Sequence, residues 1–553
     1  MTYLLIFFTS LITTIFLTPY LISFLKKTKI VDYPGERKIH SEVMPRMGGL
    51  IIFVIVIIML NAFVEDFDSI KLLIISATVL IFSGIIDDVL GLNNFIKFII
   101  QNISAVLLIL YFEQYFESIK LFGYVFESPL QYLILLLFIV GTINSINFLD
   151  GLDGLASGFS ILIFSVLLAL AIRKNDTFLI LLNVSLLGST LGFLRFNAFP
   201  ASVFLGDTGS LILGFFLILS ASLTSINYHD MDLDLTFPLI LLAVPLVDTI
   251  KVFLLRILRK RDPFSGDTSH QHHILKKSIV SHEATVFIIE IFSLVFIFIS
   301  LLYLGDYRLE AVILFFIFSS LLVALHPIFS KVNIAKSVNA FLLKIHDLPI
   351  KNLFPVIKFM LIISLILMGI IYIVSFSFKT SLNIEELFFL LLMVTGLLGL
   401  AIFQSKKIGS IGEVNVYLNF AIFFIISKLS LPSLFNENLT INSITKIHNW
   451  TFYSLTAVIT ITLLFRWKAL MTRKLFFSGA DLTMIVFMLL TFIINDVLEF
   501  DLNYYLSISL LEAFIFYIWY KLVLDLKKNY EFKLTLFSFM LPISLLLTLI
   551  ITN

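Results

Sequence analysis

The chain has 553 residues, 59% of them hydrophobic and only 14% charged, with a formal net charge of +1 and a mean hydropathy of +1.05. Ordinary soluble chains carry roughly a quarter charged residues, so this composition excludes a soluble globular protein and points to a polytopic membrane protein. The absence of cysteine excludes disulfides, a thiolate metal site and a cysteine nucleophile.

A helix that crosses a bilayer needs about 20 apolar residues. In chain order, windows of that kind fall near 3–25, 48–64, 70–86, 95–112, 130–147, 155–172, 177–194, 208–226, 236–256, 284–304 and 310–328. Seven more follow near 354–376, 385–404, 413–431, 450–466, 481–498, 504–524 and 533–551. The expected fold is therefore an all-α polytopic membrane protein, with about 11 transmembrane helices in a core and about 7 at the C-terminus. The first run lacks a basic start and a cleavage site, and "KKTK" follows it, so it reads as a retained span.

Loop charge sets the expected orientation, because Lys and Arg favour the cytoplasmic side. "KKTKIVDYPGERKIHSEVMPRMGG" after the first span and "RILRKRDPFSGDTSHQHHILKK" after the ninth are strongly basic. "EDFDS" and "NYHDMDLDLT" carry no Lys or Arg. Both termini are then expected outside, with "RKND" after the sixth span as the one weak exception. On this map four polar clusters reach the cytoplasmic face: "SGIIDDVLGLNNFIKFIIQ", "NSINFLDGLDGLASG", "LRFNAFPASVFLGDTGS" and "PLVDTIKVFLLRILRKRDPFSGDTSHQHH". Ionisable groups at such places are paired, hydrated or functional.

Each cluster has a bland and a chemical reading. Asp150 and Asp153 share a face if their segment is helical, flanked by Gly151 and Gly154 and preceded by Asn144 and Asn147. They form either a capped helix start or a set of oxygen ligands. "GDTGS" places Asp207 between glycines at a helix N-terminus, which is either an N-cap or a phosphate site. Carboxylates beside phosphate suit Mg2+. Asp87 and Asp88 point about 100° apart on a helix, so they are not expected to act as one bidentate pair. Lys97 and Gln101 follow within one hairpin. His270, His272 and His273 sit in a basic loop and suggest a metal or a phosphate.

The ordered series "DD…K…Q", "NxxNxxDGxDGLASG", "FLGDTGS", "PxxD" and "HxHH" resembles the polyprenyl-phosphate N-acetylhexosamine-1-phosphate transferase superfamily, the WecA/MraY-like enzymes. "VDYPGERKIHSEVMPRMGGL" is similar to an element of the WecA and TagO branch. The resemblance spans roughly residues 1–330. It implies transfer of an N-acetylhexosamine 1-phosphate, with GlcNAc-1-phosphate the expected group, from a UDP-sugar to undecaprenyl phosphate, releasing UMP. It also implies Mg2+, with Mn2+ as a substitute, held by Asp207. Asp87 and Asp88 would position or deprotonate the lipid phosphate, and Lys97 would offset its charge. Asn144, Asn147, Asp150 and Asp153 would line the nucleotide pocket, and Phe204 is available to stack on uracil. His270, His272 and His273 would bind the diphosphate or the sugar, with Arg37, Lys38 and His40 as further contacts. The branch commonly has Arg where this chain has Ile274, which leaves one phosphate contact to Lys276 or Lys277. The implied location is the inner (plasma) membrane with a cytoplasmic active site; the expected partners are the UDP-sugar, undecaprenyl phosphate and membrane lipid, with no nucleic acid, and the C-terminal extension would support a homodimer, lipid delivery or docking of a later pathway enzyme. The alternative is a transporter or lipid flippase, which should carry charges or broken helices at mid-span.

The expected division is a transferase domain at 1–330, a basic cytoplasmic linker at 331–353 and a multi-span accessory domain at 354–553. In that last third no carboxylate pair, glycine-rich phosphate loop or histidine cluster falls at an inward-facing span end.

Overall fold

The computed structural model describes residues 2–33, 43–258, 282–305 and 307–331, together with Lys260, His270, Leu275 and Leu490. The expected linker beyond Lys331 and the seven C-terminal spans lie outside the described residues, as do Arg37, Lys38, His40, His272, His273, Lys276 and Lys277. The described elements from Thr2 to Lys331 fall in one compact unit.

Its helices follow the hydropathy: α1 Thr2–Lys27, α2 Leu50–Phe63, α3 Lys71–Leu90, α4 Asn94–Phe112, α5 Leu130–Leu149, α6 Leu155–Lys174, α7 Thr177–Asn197, α8 Gly206–Ser225, α9 Thr236–Leu241, α10 Ala243–Leu258, α11 His282–Leu304 and α12 Arg308–Lys331. Among the described residues, eight helices are long and apolar enough to cross a membrane. The α2 helix, with 14 residues, is shorter than that.

The centre of the bundle is α8, in which every residue from Thr208 to Ser225 is buried. It packs against α3 and α5, and α6 and α7 flank it. A helix buried all round must satisfy its own polar groups. Ser220 therefore donates to Asn183 Oδ1 on α7 at 2.8 Å, and Thr224 bonds back to Ser220 O. Where α7 meets α1, Gly188 and Gly192 stand one turn apart. A methyl at Gly188 would lie 2.5 Å from Phe7 O, so two small residues let the backbones touch.

One expectation is corrected. The span expected at 236–256 is broken into α9 and α10 at Leu242. Pro245 has no N–H to give to Leu241 O, and its ring crowds that carbonyl, which favours the break at this point.

Two short sheets close the ends. The strands β1 Val31–Asp32 and β2 Met44–Pro45 pair antiparallel, and Arg46 bonds Asp32 at 2.8 Å. At the other end β3 Ser118–Leu121, β4 Tyr124–Phe126, β5 Ile226–Asn227 and β6 Asp232–Asp234 form a sheet in the order β4-β3-β6-β5. Its strands come from the loops after α4 and α8, which loop charge assigns to one side of the membrane.

Candidate active site

The first turn of a helix leaves backbone N–H groups without partners. At α8 the capping position is Leu205, whose side chain cannot accept a bond. The missing acceptor comes from α3. Asp88 Oδ1 accepts from Asp207 N at 3.1 Å, and Oδ2 accepts from Thr208 N at 3.0 Å and Thr208 Oγ1 at 2.7 Å. The N-terminus of α8, one of whose sequence readings was a phosphate site, thus has two of its donors engaged by a carboxylate. The approach requires small residues. Gly206 has φ +73°, and a methyl on it would lie 2.6 Å from Asp88 Oδ2. A methyl at Gly49, at the start of α2, would overlap Gly209 Cα.

Asp87 takes a different direction, as adjacent helical positions must. Its Oδ1 accepts from Leu92 N at 2.7 Å, and its Oδ2 lies 3.2 Å from Lys97 Nζ. Lys97 also pairs with Asp207. Two carboxylates therefore share one ammonium, with side chains 14–26% exposed. Lys97 is presented by α4, whose start is capped by Asn93 accepting from Phe95 N.

The "NSINFLDGLDGLASG" segment ends α5 and begins α6. Asn144 donates to Gln101 Oε1 at 2.7 Å and accepts from Gln101 Nε2 at 3.2 Å, which ties α5 to α4. Asn147 Oδ1 accepts from Ser210 Oγ at 2.8 Å, which ties α5 to α8. Residues 150–154 are a turn rather than a helix, so the shared helical face expected of Asp150 and Asp153 is not what brings them together. Asp153 Oδ2 accepts from Ala201 N at 3.0 Å and holds the loop that carries Phe204. Asp150 closes α5. Burial pushes its carboxyl well above the usual carboxylate range, and the negative charges of Asp88 and Asp153 push it further. Phe204 is half-buried, and its backbone is fastened by Gly48 N–H donating to Phe204 O and by Phe204 N–H donating to Pro45 O.

His270 is buried against Phe148, with ring centroids 5.1 Å apart. Its Nδ1 lies 2.9 Å from Asp248 Oδ2, and Lys251 Nζ bonds Asp248 Oδ1 at 2.8 Å. His282 stacks on Phe199 at 4.4 Å and reaches Asp153 O.

Residues 70–225 match the family model described as Glycosyl transferase family 4. Over 296 residues the chain is 33% identical to the probable undecaprenyl-phosphate N-acetylglucosaminyl 1-phosphate transferase of Bacillus subtilis, a match covering 52% of this chain and 82% of that protein. The chain belongs to glycosyl transferase family 4. It is also 28% identical over 285 residues to the undecaprenyl-phosphate alpha-N-acetylglucosaminyl 1-phosphate transferase of Thermotoga maritima, covering 52% of this chain and 86% of that one. For the protein of that name in Escherichia coli K12 the figures are 27% over 275 residues, 48% and 74%. These matches leave nearly half of this family 4 chain uncovered.

The divalent cation implied for a family 4 transferase can be set against the donors present. Among the described residues no group of three or more His, Asp or Glu side chains gathers as a protein-built cage. What does gather is oxygen around a positive charge: Asp87 and Asp207 about the Lys97 ammonium. Mg2+ usually needs only one or two carboxylates and takes water and phosphate for the rest, so this donor set fits it.

Thr208, Ser210, Asp248, Lys251 and His282 join the site only in the structure. Only the Asp248–Lys251 pair had a local signal, opposite charges three residues apart on one helix.

Proposed function

We propose that this protein transfers N-acetylglucosamine 1-phosphate from UDP-GlcNAc to undecaprenyl phosphate at the cytoplasmic face of the plasma membrane. A phosphate oxygen of the lipid attacks the sugar-bearing phosphorus of the donor. The bond from that phosphorus to the bridging oxygen breaks, and UMP leaves with the bridging oxygen. Such transfers depend on positioning and charge neutralisation rather than on covalent work by the protein. The observation that carries the reading is the convergence of Asp87, Lys97 and Asp207 at one end of the bundle.

In this scheme Lys97 offsets the charge of the lipid phosphate, and Asp87 orients that phosphate and takes its proton. Asp207 is the residue to hold Mg2+, which supplies further neutralisation on the diphosphate. Asn144, Asn147, Asp150 and Asp153 shape the nucleotide pocket, and the Phe204 ring stacks on uracil. His270 contacts the diphosphate or sugar, with His272, His273, Arg37, Lys38 and His40 as additional contacts. We further propose the architecture expected from hydropathy: eleven spans in a transferase domain, a cytoplasmic linker at 331–353 and a seven-span accessory domain at 354–553 that supports dimerisation, lipid delivery or docking of a later pathway enzyme. A flippase is less favoured, because the motif carboxylates Asp87, Asp88, Asp150, Asp153 and Asp207 all lie at helix ends on one side of the bundle rather than at mid-span.

The decisive experiment incubates the purified full-length protein with undecaprenyl phosphate, Mg2+ and a panel of labelled UDP-sugars. UMP release together with a labelled lipid diphosphate from UDP-GlcNAc is expected. Absence of UMP with every donor would overturn the proposal. Sidedness is read separately: in intact cells Asn227→Cys should react with an impermeant thiol reagent and Ser269→Cys should not.

A further inference from the structure

We propose that Asp88 is a positioning residue: reaching across from α3, its carboxylate supplies the N-terminal cap that α8 lacks and so fixes where Asp207 points. This rests on the phosphotransferase reading and changes the division of labour within the adjacent pair.

The capping position of α8, Leu205, has no acceptor, yet α8 begins at the site and carries Asp207 in its first turn. Asp and Asn cap helices because a side-chain oxygen takes the second and third N–H groups. Here those are the N–H groups of Asp207 and Thr208, and both go to Asp88, 119 and 120 residues away in sequence. With the Thr208 hydroxyl added, three of roughly four lone-pair sites on the carboxylate are filled. Little accepting capacity remains for a proton on substrate. The carboxylate also answers the positive end of the α8 dipole.

The packing is built for this contact. Gly84 lies one helical turn before Asp88, on the same face of α3, and a methyl there would lie 2.5 Å from Thr208 Cα. The Gly206 methyl that would crowd Asp88 is likewise absent. The Gly84–Asp88 stripe therefore faces α8, whereas Asp87, about 100° round the helix, faces Lys97. Asp87, with one backbone N–H and the shared Lys97 as partners, keeps more accepting capacity and is the member of the pair left for the lipid phosphate.

The test uses the full-length protein with Thr208→Val, Asp88→Leu, Asp88→Asn and the double variant Asp88→Leu/Thr208→Val. Three readouts are taken: Mn2+ binding by electron paramagnetic resonance, hydrogen exchange of the 206–210 segment, and KM for undecaprenyl phosphate. Asp88→Leu should weaken Mn2+ binding about tenfold, in the range usual for supports of a metal ligand, and Thr208→Val by less. Both should speed exchange at 206–210 and leave KM for undecaprenyl phosphate unchanged. Asp88→Asn, which keeps one acceptor oxygen, should fall between Asp88→Leu and the unaltered protein. The double variant should be no worse than Asp88→Leu, because both changes break one network. A raised KM for undecaprenyl phosphate in Asp88→Asn, with Mn2+ binding and exchange untouched, would overturn the assignment. So would unchanged exchange at 206–210 in Asp88→Leu or, if that variant does not fold, in the near-isosteric Asp88→Asn; Thr208→Val removes only the hydroxyl bond and leaves both backbone bonds to Asp88. A protein that releases no UMP would sink the functional reading, while exchange at 206–210 still decides the cap.

Discussion

The two ends of the helical bundle are both rich in charge, and they handle it in opposite ways. At the sheet end three acidic groups are matched locally. Lys120 pairs with Asp232, Tyr303 donates to Asp234 at 2.7 Å, and Asn227 donates to Asp230 at 2.7 Å. At the other end Asp87 and Asp207 divide one ammonium, Asp88 is turned inward to cap α8, and Asp150 is forced toward its neutral form by burial and like charge. The shared pair Asp87 and Asp207 and the buried Asp150 make this end the functional-site candidate, whereas Asp88 is satisfied by three donors.

That contrast can be broken by substitution, and the largest effect should come from Asp207→Asn. UMP release should fall at least ~100-fold, the scale of losing a group that stabilises transition-state charge, with expression and membrane insertion unchanged. Near-normal turnover would remove Asp207 from the chemistry.

Next is Lys97→Met, which leaves Asp87 and Asp207 facing each other without their shared cation. Turnover should drop about 10–100-fold, while thermal unfolding in detergent moves little because the groups are partly hydrated. If the melting temperature collapses and the surviving folded fraction is fully active, the pair is structural and the two ends are alike after all.

A smaller effect is expected from Asp248→Asn, which loosens the hold on His270 Nδ1. Loss of such an orienting partner typically costs about tenfold. It should appear as a raised KM for UDP-GlcNAc with KM for undecaprenyl phosphate unaltered; the opposite pattern would place His270 on the lipid side.

The smallest effect on turnover belongs to the matched end. Lys120→Met strands the Asp232 carboxylate, whose side chain is only 5% exposed, so stability should fall by roughly 3 kcal/mol. Turnover of the folded protein should be unchanged. Lost activity there would contradict the comparison.

Much of the molecule was legible in the chain itself. Runs of apolar residues locate α1 and α3–α8 within a few positions, because a helix in a bilayer satisfies its backbone internally and needs only length and apolarity. The ordered motifs identified the family, and the alternation of spans puts the loops after α4 and α8 on one side, where β3–β4 and β5–β6 join in one sheet. Other features were not legible. Pro245 is visible as a letter, but Pro19 sits inside an unbroken α1, so proline alone does not decide the break at Leu242. Asp88 reads as half of an acidic pair, and nothing local says that Leu205, 117 residues on, lacks a cap. Asp248 and His270 are 22 residues apart, with a basic loop between them. The glycines at 49, 84 and 209 look like loop or helix punctuation, yet they are the points where α2, α3 and α8 touch. Hydropathy and motif spacing are properties of consecutive residues, so the sequence alone determines them; a carboxylate's partner is set by distance and direction through space, and only the packing of α3 against α8 decides that.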